Sequence, residues 1–598
     1  MIRVPHPCLP SPWSPAVDPW QEVLPAWTEA AEPPVIWSVA GTDSGGGAGL
    51  AADTRAAAAM GVHLCTVVAA VTAQNSLGVQ GVYPVEAATL RGQLQALRAD
   101  LPARVIKTGL LASATAVDVL LAQRGDALLV VDPVLGATAG GAAFCDDALL
   151  AAYRHQVLPQ ATLVTPNRRE AERLLGVHPG QCTVPELACR LRRLGAQAVC
   201  ITGGDDLSAG TALALDWLDS PLATGWMALP RLAPVPGHPL HHHGSGCTFA
   251  TAAAAALARG FPLPDAVVLA KMLTWTALRH GHAAGAGAGP LRPCASFVSD
   301  AAAMPVMSQA DEAVLTEALL AQWARALRPN AAEEATEDAA AVSFARGLYA
   351  ITDDPGQTAV YAQSGAFAHV QLRIKQVRVA GGRKGPGGLS DADADADADV
   401  DVDVDADADG DANANANANA NDRDRDRDRD GSTNEAQLRQ SIRQAISAVH
   451  GTSATLWIND HWRLALEEGA TALHLGQEDW AALTSSERLQ LLTALRHHQL
   501  RLGLSSHSLW ELCRARALRP SYIACGPLWP TTTKDMPWQP QGLAQLAWWA
   551  RMAGRPVVGI GGLLEEAQVQ AAWRAGASAV CLVRAAAQWL PPAGGHSP

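Results

Sequence analysis

A chain of 598 residues is too long for one ordinary domain. With 48% hydrophobic and 17% charged residues it can bury a large core, which excludes global disorder. The net charge of −13 is concentrated: residues 391–430 alternate Asp with Ala, Val, Asn or Arg and hold 16 Asp against 4 Arg, so the remaining chain is nearly neutral and lacks the basic bias that binds nucleic acid by charge.

Eleven cysteines, an odd number without a Cys-x-x-Cys pair, argue against a disulfide framework or zinc site and for a reducing compartment. No apolar run approaches the length of a membrane span, and the first residues lack a secretory pattern. The expectation is a cytoplasmic protein with neither membrane nor nucleic acid as partner. Residues 1–33 are Pro-rich and read as a disordered leader.

From residue 34, short apolar runs alternate with Ala/Leu-rich stretches: VIWSVAG (35–41), ARVIKTG (103–109), ALLVVDP (127–133), ATLVTPN (161–167) and AQAVCITGG (196–204). Strand-like runs separated by helix-length spacers predict a parallel α/β sheet over 34–300, ending in two helices near 248–259 and 264–280. Residues 301–342 read as a linker with room for one helix. A second alternation follows: GLYAITD (347–353), HVQLRIK (369–375), TLWIND (455–460), ALHLGQ (472–477), RLGLSS (501–506), YIACGPLW (522–529), PVVGIGG (556–562) and AVCLVRA (579–585). Eight such strands predict a closed (β/α)8 TIM barrel over 343–598, with the C-terminal strand ends sharing one mouth. The insertion at 381–434 carries the Asp alternation. It buries little and repels itself, so a solvated loop is expected. Calcium binding is the weaker alternative, because the repeat lacks glycine-bearing turns that wrap an ion.

Three pieces of the first half point to chemistry. AGTDSGGGAGLAAD (40–53) is a glycine-rich turn between strand and helix, where backbone amides can approach a ligand. HGSGCTFATAAAAALARG (243–260) puts the amides of Gly244, Ser245, Gly246 and Cys247 at a helix N-terminus, which favours an anion such as a transferring phosphoryl group. In TPNRREAE, Asn167 and Glu170 sit three apart at a strand-to-helix junction, able either to hold magnesium or to form a capping box. Each piece alone also reads as ordinary turn or cap architecture. The triple His241–His243 reads as a loop entering the GSGC turn, because consecutive residues do not converge on one metal.

Together with VTAQNSLGVQGV (71–82), KTGLLAS (107–113) and VVDPVLG (130–136), these pieces resemble hydroxymethylpyrimidine/phosphomethylpyrimidine kinase over residues 34–290. The resemblance implies a ribokinase-like α/β sandwich and ATP-dependent phosphorylation of a pyrimidine alcohol and then of its monophosphate. It implies a pyrimidine site at Gly41, Asp53 and Gln74, phosphate and ATP contacts at Asn167, Glu170, Gly244, Ser245 and Gly246, and a catalytic base at Cys247. A thiol base needs a lowered pKa, which a helix N-terminus favours. Leu110 and Thr202 depart from the family, which often has Met and Lys there.

In the second half, strand alternation gives Gln371, Arg373 and Lys375 one face, costly to bury without an anionic ligand. Asp460 and Asp479 end neighbouring strands, a carboxylate pair suited to magnesium. GPLWPTTTK (526–534) adds hydroxyls and Lys534, while GIGG (559–562) and Val583–Arg584 fall where barrels of this kind bind phosphate.

GLYAITDD, VQLRIK, WIND, LHLGQED, LGLSSHS, GPLWPTTTK and VVGIGGL together resemble thiamine phosphate synthase over 347–586. The resemblance implies condensation of hydroxymethylpyrimidine pyrophosphate with thiazole phosphate. Catalysis would rest on Arg373, Lys375 and Lys534, with Mg2+ on Asp460 and Asp479. Gln371, Arg373, Lys375, Asn459, Ser505 and Lys534 would bind the pyrimidine pyrophosphate. Thr531, Thr533, Gly561, Gly562, Val583 and Arg584 would receive the thiazole phosphate. The partners implied are small molecules (the pyrimidine and its phosphates, ATP and thiazole phosphate), with a homo-oligomer left open. The alternative is a pyridoxal-type kinase fused to a non-catalytic or regulatory barrel.

Overall fold

Strand β1 (Val35–Gly41) pairs in parallel with β2 (His63–Asn75) on one side and β4 (Val105–Thr108) on the other. The computed structural model describes residues 32–136, 145–204, 212–234, 240–309, 314–328, 344–374, 435–530 and 540–591. Parallel pairing continues through β5 (Leu128–Val131), β6 (Leu163–Val164) and β7 (Val199–Ile201). These short strands are buried on both faces, which is why they read as unbroken apolar runs rather than alternations. β3 (Gly78–Pro84) adds antiparallel to β2. On the far side β8 (Leu213–Asp219), β9 (Thr224–Pro230) and β10 (Val306–Met307) add antiparallel, giving ten strands in the order β10-β9-β8-β7-β6-β5-β4-β1-β2-β3.

The helix Ser245–Ala258 is buried on every side from Thr248 onward. Its run of alanines lets it lie close to the helix Leu263–Arg279, which is itself nearly all buried. The segment 301–328 is more than a connection. It supplies edge strand β10 and the helix Glu317–Ala326, whose Trp323 is fully buried.

The second body is a closed barrel of eight parallel strands: β11 (Gly347–Thr352), β12 (Phe367–Leu372), β13 (Thr455–Asn459), β14 (Ala472–Leu475), β15 (Arg501–Ser506), β16 (Tyr522–Cys525), β17 (Val557–Ile560) and β18 (Ala579–Leu582). β11 closes on β18. Every predicted barrel strand is present, although β12 stops at Leu372, before Arg373. At the closed end, Phe344 stacks on His369 4.1 Å away.

One contiguous cluster of buried apolar residues runs from the sheet, through the helices 245–258 and 263–279, into the barrel. The two bodies are also joined by polar contacts. Trp548 donates its indole N–H to the Val298 carbonyl at 2.7 Å, and Arg516 donates to the Met304 carbonyl at 2.9 Å.

Candidate active sites

At the C-terminal end of the central strands, the glycine-rich turn is folded around Asp43. Its carboxylate accepts from the amides of Gly45 (2.8 Å), Gly47 (2.9 Å) and Ala48 (2.8 Å), and lies 3.0 Å from His243 Nε2. Burial alone would raise this carboxyl, but His243 and the amides of Ala48 and Gly45 hold it below the ordinary carboxylate range. Arg55 braces the same turn through the carbonyls of Gly46 and Gly47. Gly244 begins the helix Ser245–Ala258 with φ +88°, and a Cβ there would run into the Gly47 carbonyl. The two glycine segments therefore interlock. His243 belongs to this seam, 3.1 Å from the Gln74 side-chain amide, so the His triplet's last member is more than a loop residue.

Asp53 is not on an open wall. It is fully buried, accepting from Ser38 (2.6 Å), Thr251 (2.8 Å) and Lys107 (3.0 and 3.1 Å). Lys107, also fully buried, stands 3.7 Å from Asp132. Burial opposes the Lys107 charge, but Asp53, Cys247 and Asp132 outweigh it and raise the ammonium above its ordinary value. Burial and the Asp53 charge push Asp132 up, against the pull of Lys107.

Cys247 opens onto this cluster, and its thiol is pushed up to about 12. Burial is the main cause. Lys107 and the Gly49 amide pull it down, while Asp132 and Asp53 push it up. The expected lowering by the helix N-terminus is thus not met, because burial of the thiol, with Asp132 and Asp53 beside it, outweighs the pull of Lys107 and the Gly49 amide. Asn167 and Glu170 form the capping box of the helix Arg168–Leu175: the Asn167 side chain accepts from the Glu170 amide at 2.9 Å and Glu170 accepts from the Asn167 amide at 3.0 Å. Gly41 ends β1 against Leu110. Lys107 and Asp132 lie within quoted motifs but were not singled out. The usable signal was a lone charge inside the otherwise apolar strands VIKT and LLVV-D.

The barrel mouth encloses a cavity of about 440 Å³. Its lining includes Gln371, Arg373, Asn459, Asp460, Asp479, Ser505, Gly561, Gly562, Val583 and Arg584, every sequence-predicted residue of this site that lies among the described ones. Lys375, Thr531, Thr533 and Lys534 lie outside the described residues, as does the 381–434 insertion. Asp460 has φ +65°, a conformation Asp tolerates better than most residues. Gly561 and Gly562, at φ +93° and +72°, make the turn after β17.

Below the mouth a hydrogen-bonded chain crosses the barrel. Gln371 donates to Asn459 at 2.6 Å, and Tyr349 donates to Gln371 at 2.8 Å. The Tyr349 and Tyr522 hydroxyls are 2.8 Å apart, Tyr522 is 2.6 Å from His474 Nδ1, and His474 Nε2 is 2.9 Å from the Ser505 hydroxyl. The Gln371 carbonyl can only accept and each hydroxyl has one proton, so the chain runs in one direction from Ser505 to Asn459. That protonates Nδ1 of His474, and with the ring neutral Nε2 accepts from Ser505. His474, Tyr349 and Tyr522 were missed. Their signal was polar side chains on inward-facing strand positions.

Comparison with known proteins now decides the family. The family described as Phosphomethylpyrimidine kinase matches residues 43–292, and that described as Thiamine monophosphate synthase matches residues 425–586. The hydroxymethylpyrimidine/phosphomethylpyrimidine kinase of Streptomyces coelicolor is 38% identical over 267 residues, 44% of this chain and 96% of that protein. The chain belongs to the hydroxymethylpyrimidine/phosphomethylpyrimidine kinase family. It carries this kinase domain ahead of a thiamine monophosphate synthase domain. The thiamine biosynthesis bifunctional protein ThiED of Geobacter sulfurreducens is 39% identical over 260 residues, 43% of this chain; the match spans about half (51%) of that relative. Among solved structures, the ADP complex of Bacillus subtilis pyridoxal kinase is 28% identical, covering 45% of this chain and 99% of that one, with a TM-score of 0.39. No helix among the described residues is long and apolar enough to cross a membrane.

Proposed function

We propose that the kinase domain uses ATP to phosphorylate hydroxymethylpyrimidine and then its monophosphate, and that the barrel condenses the pyrophosphate product with thiazole phosphate to give thiamine phosphate and pyrophosphate. The observation carrying the second step is the convergence of Arg373, Arg584, Asp460, Asp479, Gln371, Asn459 and Ser505 on one cavity. The same convergence argues against a non-catalytic barrel.

In the kinase, the interlocked glycine turns and the amides of Gly244–Cys247 would cradle the phosphates, with Lys107 a fixed positive charge beneath them. Cys247 keeps its proton in the free enzyme. Phosphoryl transfer through a loose transition state asks for little early removal of the hydroxyl proton, so the minor thiolate form of Cys247 can take up that proton late in the transfer. Asp53 supports this reading as part of the ion cluster under the pyrimidine rather than as a ligand to it. Asn167 and Glu170 fit a nucleotide role only through oxygens beyond those of their capping box.

In the barrel, the donor set fits magnesium. Asp460 and Asp479 would supply hard oxygen ligands in the cavity that Arg373 and Arg584 also line, and Mg2+ is commonly held by one or two carboxylates together with substrate phosphates. The ion would neutralise the departing pyrophosphate. Arg373 would bind the same anion with paired donors. Gln371 and Asn459 would orient the pyrimidine, Ser505 would donate to it or to the pyrophosphate, and the Gly561 and Gly562 turn would receive the thiazole phosphate. Lys375, Lys534, Thr531 and Thr533 complete the proposal from sequence alone.

The full chain supplied with hydroxymethylpyrimidine, ATP, magnesium and thiazole phosphate should form thiamine phosphate, measured by mass spectrometry. Formation of the pyrimidine pyrophosphate without thiamine phosphate would refute the barrel assignment; no phosphorylated pyrimidine would refute the kinase assignment.

A further inference from the structure

The barrel helix Leu509–Ala517 follows β15 after two residues, so its position sets the turn that carries Ser505 and His507 into the barrel cavity. Helix ends leave amides and carbonyls that need partners. Ser508, the N-cap, accepts from the Glu511 amide at 3.2 Å. The two amides before it are held from the other domain. Asp265 of the kinase helix Leu263–Arg279 accepts from Leu509 at 3.1 Å through Oδ2 and from Trp510 at 2.9 Å through Oδ1. Asp265 is 1% exposed and is the third residue of its own helix, so two helix N-termini, one from each domain, converge on a single carboxylate.

The opposite end is held in the same way. Gln309 donates to the Arg514 carbonyl at 2.9 Å, and Gln322 donates to the Ala517 carbonyl at 3.0 Å. Both glutamines precede the barrel in the chain. From the helix the constraint passes directly into the cavity. Glu511 accepts from the His507 amide at 2.6 Å and lies 3.1 Å from the His507 ring, and Gln477 donates to Ser506 at 3.2 Å and to the Glu511 carbonyl at 3.3 Å. Ser505, His507, Glu511 and Gln477 all line the cavity.

We propose that Asp265 of the kinase domain is a positioning residue of the synthase site: by holding the first amides of the helix Leu509–Ala517 it fixes the turn that presents Ser505 and His507. The inference rests on the synthase reading of the barrel. It makes the barrel's active site a product of both domains, with the kinase domain contributing structure to a reaction it does not catalyse.

The test uses the full chain with Asp265→Ala and Asp265→Asn, supplying hydroxymethylpyrimidine pyrophosphate directly so that the kinase step is bypassed. In Asp265→Ala the synthase kcat/KM should fall about tenfold, the scale of a lost helix cap, while kinase turnover on the same preparation stays within twofold of wild type. Asp265→Asn, which keeps one acceptor oxygen, should fall between the two. Amide hydrogen exchange should quicken at residues 505–512 and not in the helix Ser245–Ala258. Unchanged synthase kinetics, or kinase and synthase falling by the same factor, would overturn the proposal. An Asp265→Ala chain that does not accumulate leaves the decision to Asp265→Asn, read the same way. A wild-type chain inactive on the supplied pyrophosphate would instead refute the synthase reading itself.

Discussion

Replacing Lys107 with Met would remove the cation that stands between Asp53, 3.0 Å away, and Asp132, 3.7 Å away, in a site where Lys107 and Asp53 have no exposed side-chain surface. At an effective dielectric near 20, each attraction is roughly 4–6 kcal/mol before desolvation is counted. Breaking a buried pair by deleting one partner costs about 3–5 kcal/mol, because the remaining charge is left uncompensated. Asp132, already pushed up by burial, responds by taking up a proton. Its neutral form is then favoured in the fold, so the variant's stability should be greatest below the ordinary carboxylate range and fall as pH rises above about 4. Wild type should show the same trend more weakly, because Lys107 partly offsets the rise of Asp132. Its Lys107 is raised above the ordinary value, so its contribution is complete below about pH 10.4 and lost only above that. Urea unfolding of Lys107→Met at several pH values, followed by kinase activity, reads both effects. Adding Asp53→Asn should restore part of the loss through coupling between the two sites. A Lys107→Met chain within 1 kcal/mol of wild type at pH 7.5, and insensitive to pH, would refute the reasoning.

Cys247 should resist alkylation in the free enzyme at pH 8 and react faster only in strongly alkaline solution, as followed by mass spectrometry of the peptide. Cys247→Ala should remove most phosphoryl transfer while leaving the melting temperature within a few degrees of wild type. Tyr522→Phe interrupts the chain between Tyr349 and His474. It should cost about 1 kcal/mol of stability and lower synthase kcat/KM several-fold, measured with the pyrimidine pyrophosphate supplied directly. His369 is pushed down to about 4, chiefly by burial, while its ring bonds to the Ala345 carbonyl and the Trp457 indole N–H. Its neutral form is the folded one, so the stability it confers is present above about pH 6.5 and lost as pH falls towards 4, by about 3 kcal/mol. His369→Asn should flatten the acid limb of a urea-midpoint profile, and an unchanged slope would contradict this account.

The barrel was legible because each strand is short, apolar and followed by its own polar residues, so eight strand ends could be aligned without knowing any contact. The central sheet was legible for the same reason. Strands β2, β3, β8 and β9 were not, because LALDWLD and HLCTVVAAVTAQN mix Ala and Leu with β-formers and do not alternate cleanly. In the sites, charged and amide residues at strand ends were found. Partners separated far along the chain were not. Lys107 finds Asp53 across 54 residues, and Tyr349 finds Tyr522 across 173. Asp265 gives still less signal, since an acidic residue in a first helical turn is ordinary. The raised Cys247 thiol also escaped, because a helix N-terminus is visible in sequence while the burial of the thiol and the carboxylates beside it are not.

The apolar cluster shared by sheet and barrel has a consequence for how such a chain could arise or be rebuilt. Two independently folding enzymes joined by a tether can be swapped for unrelated versions of either half. Here the helix Leu263–Arg279, the residues 295–307 and the barrel helix Leu509–Ala517 share one buried apolar cluster, and hydrogen bonds cross between the two halves. Exchange of either half for a stand-alone counterpart would expose an apolar seam to water, so the two halves have to be engineered together.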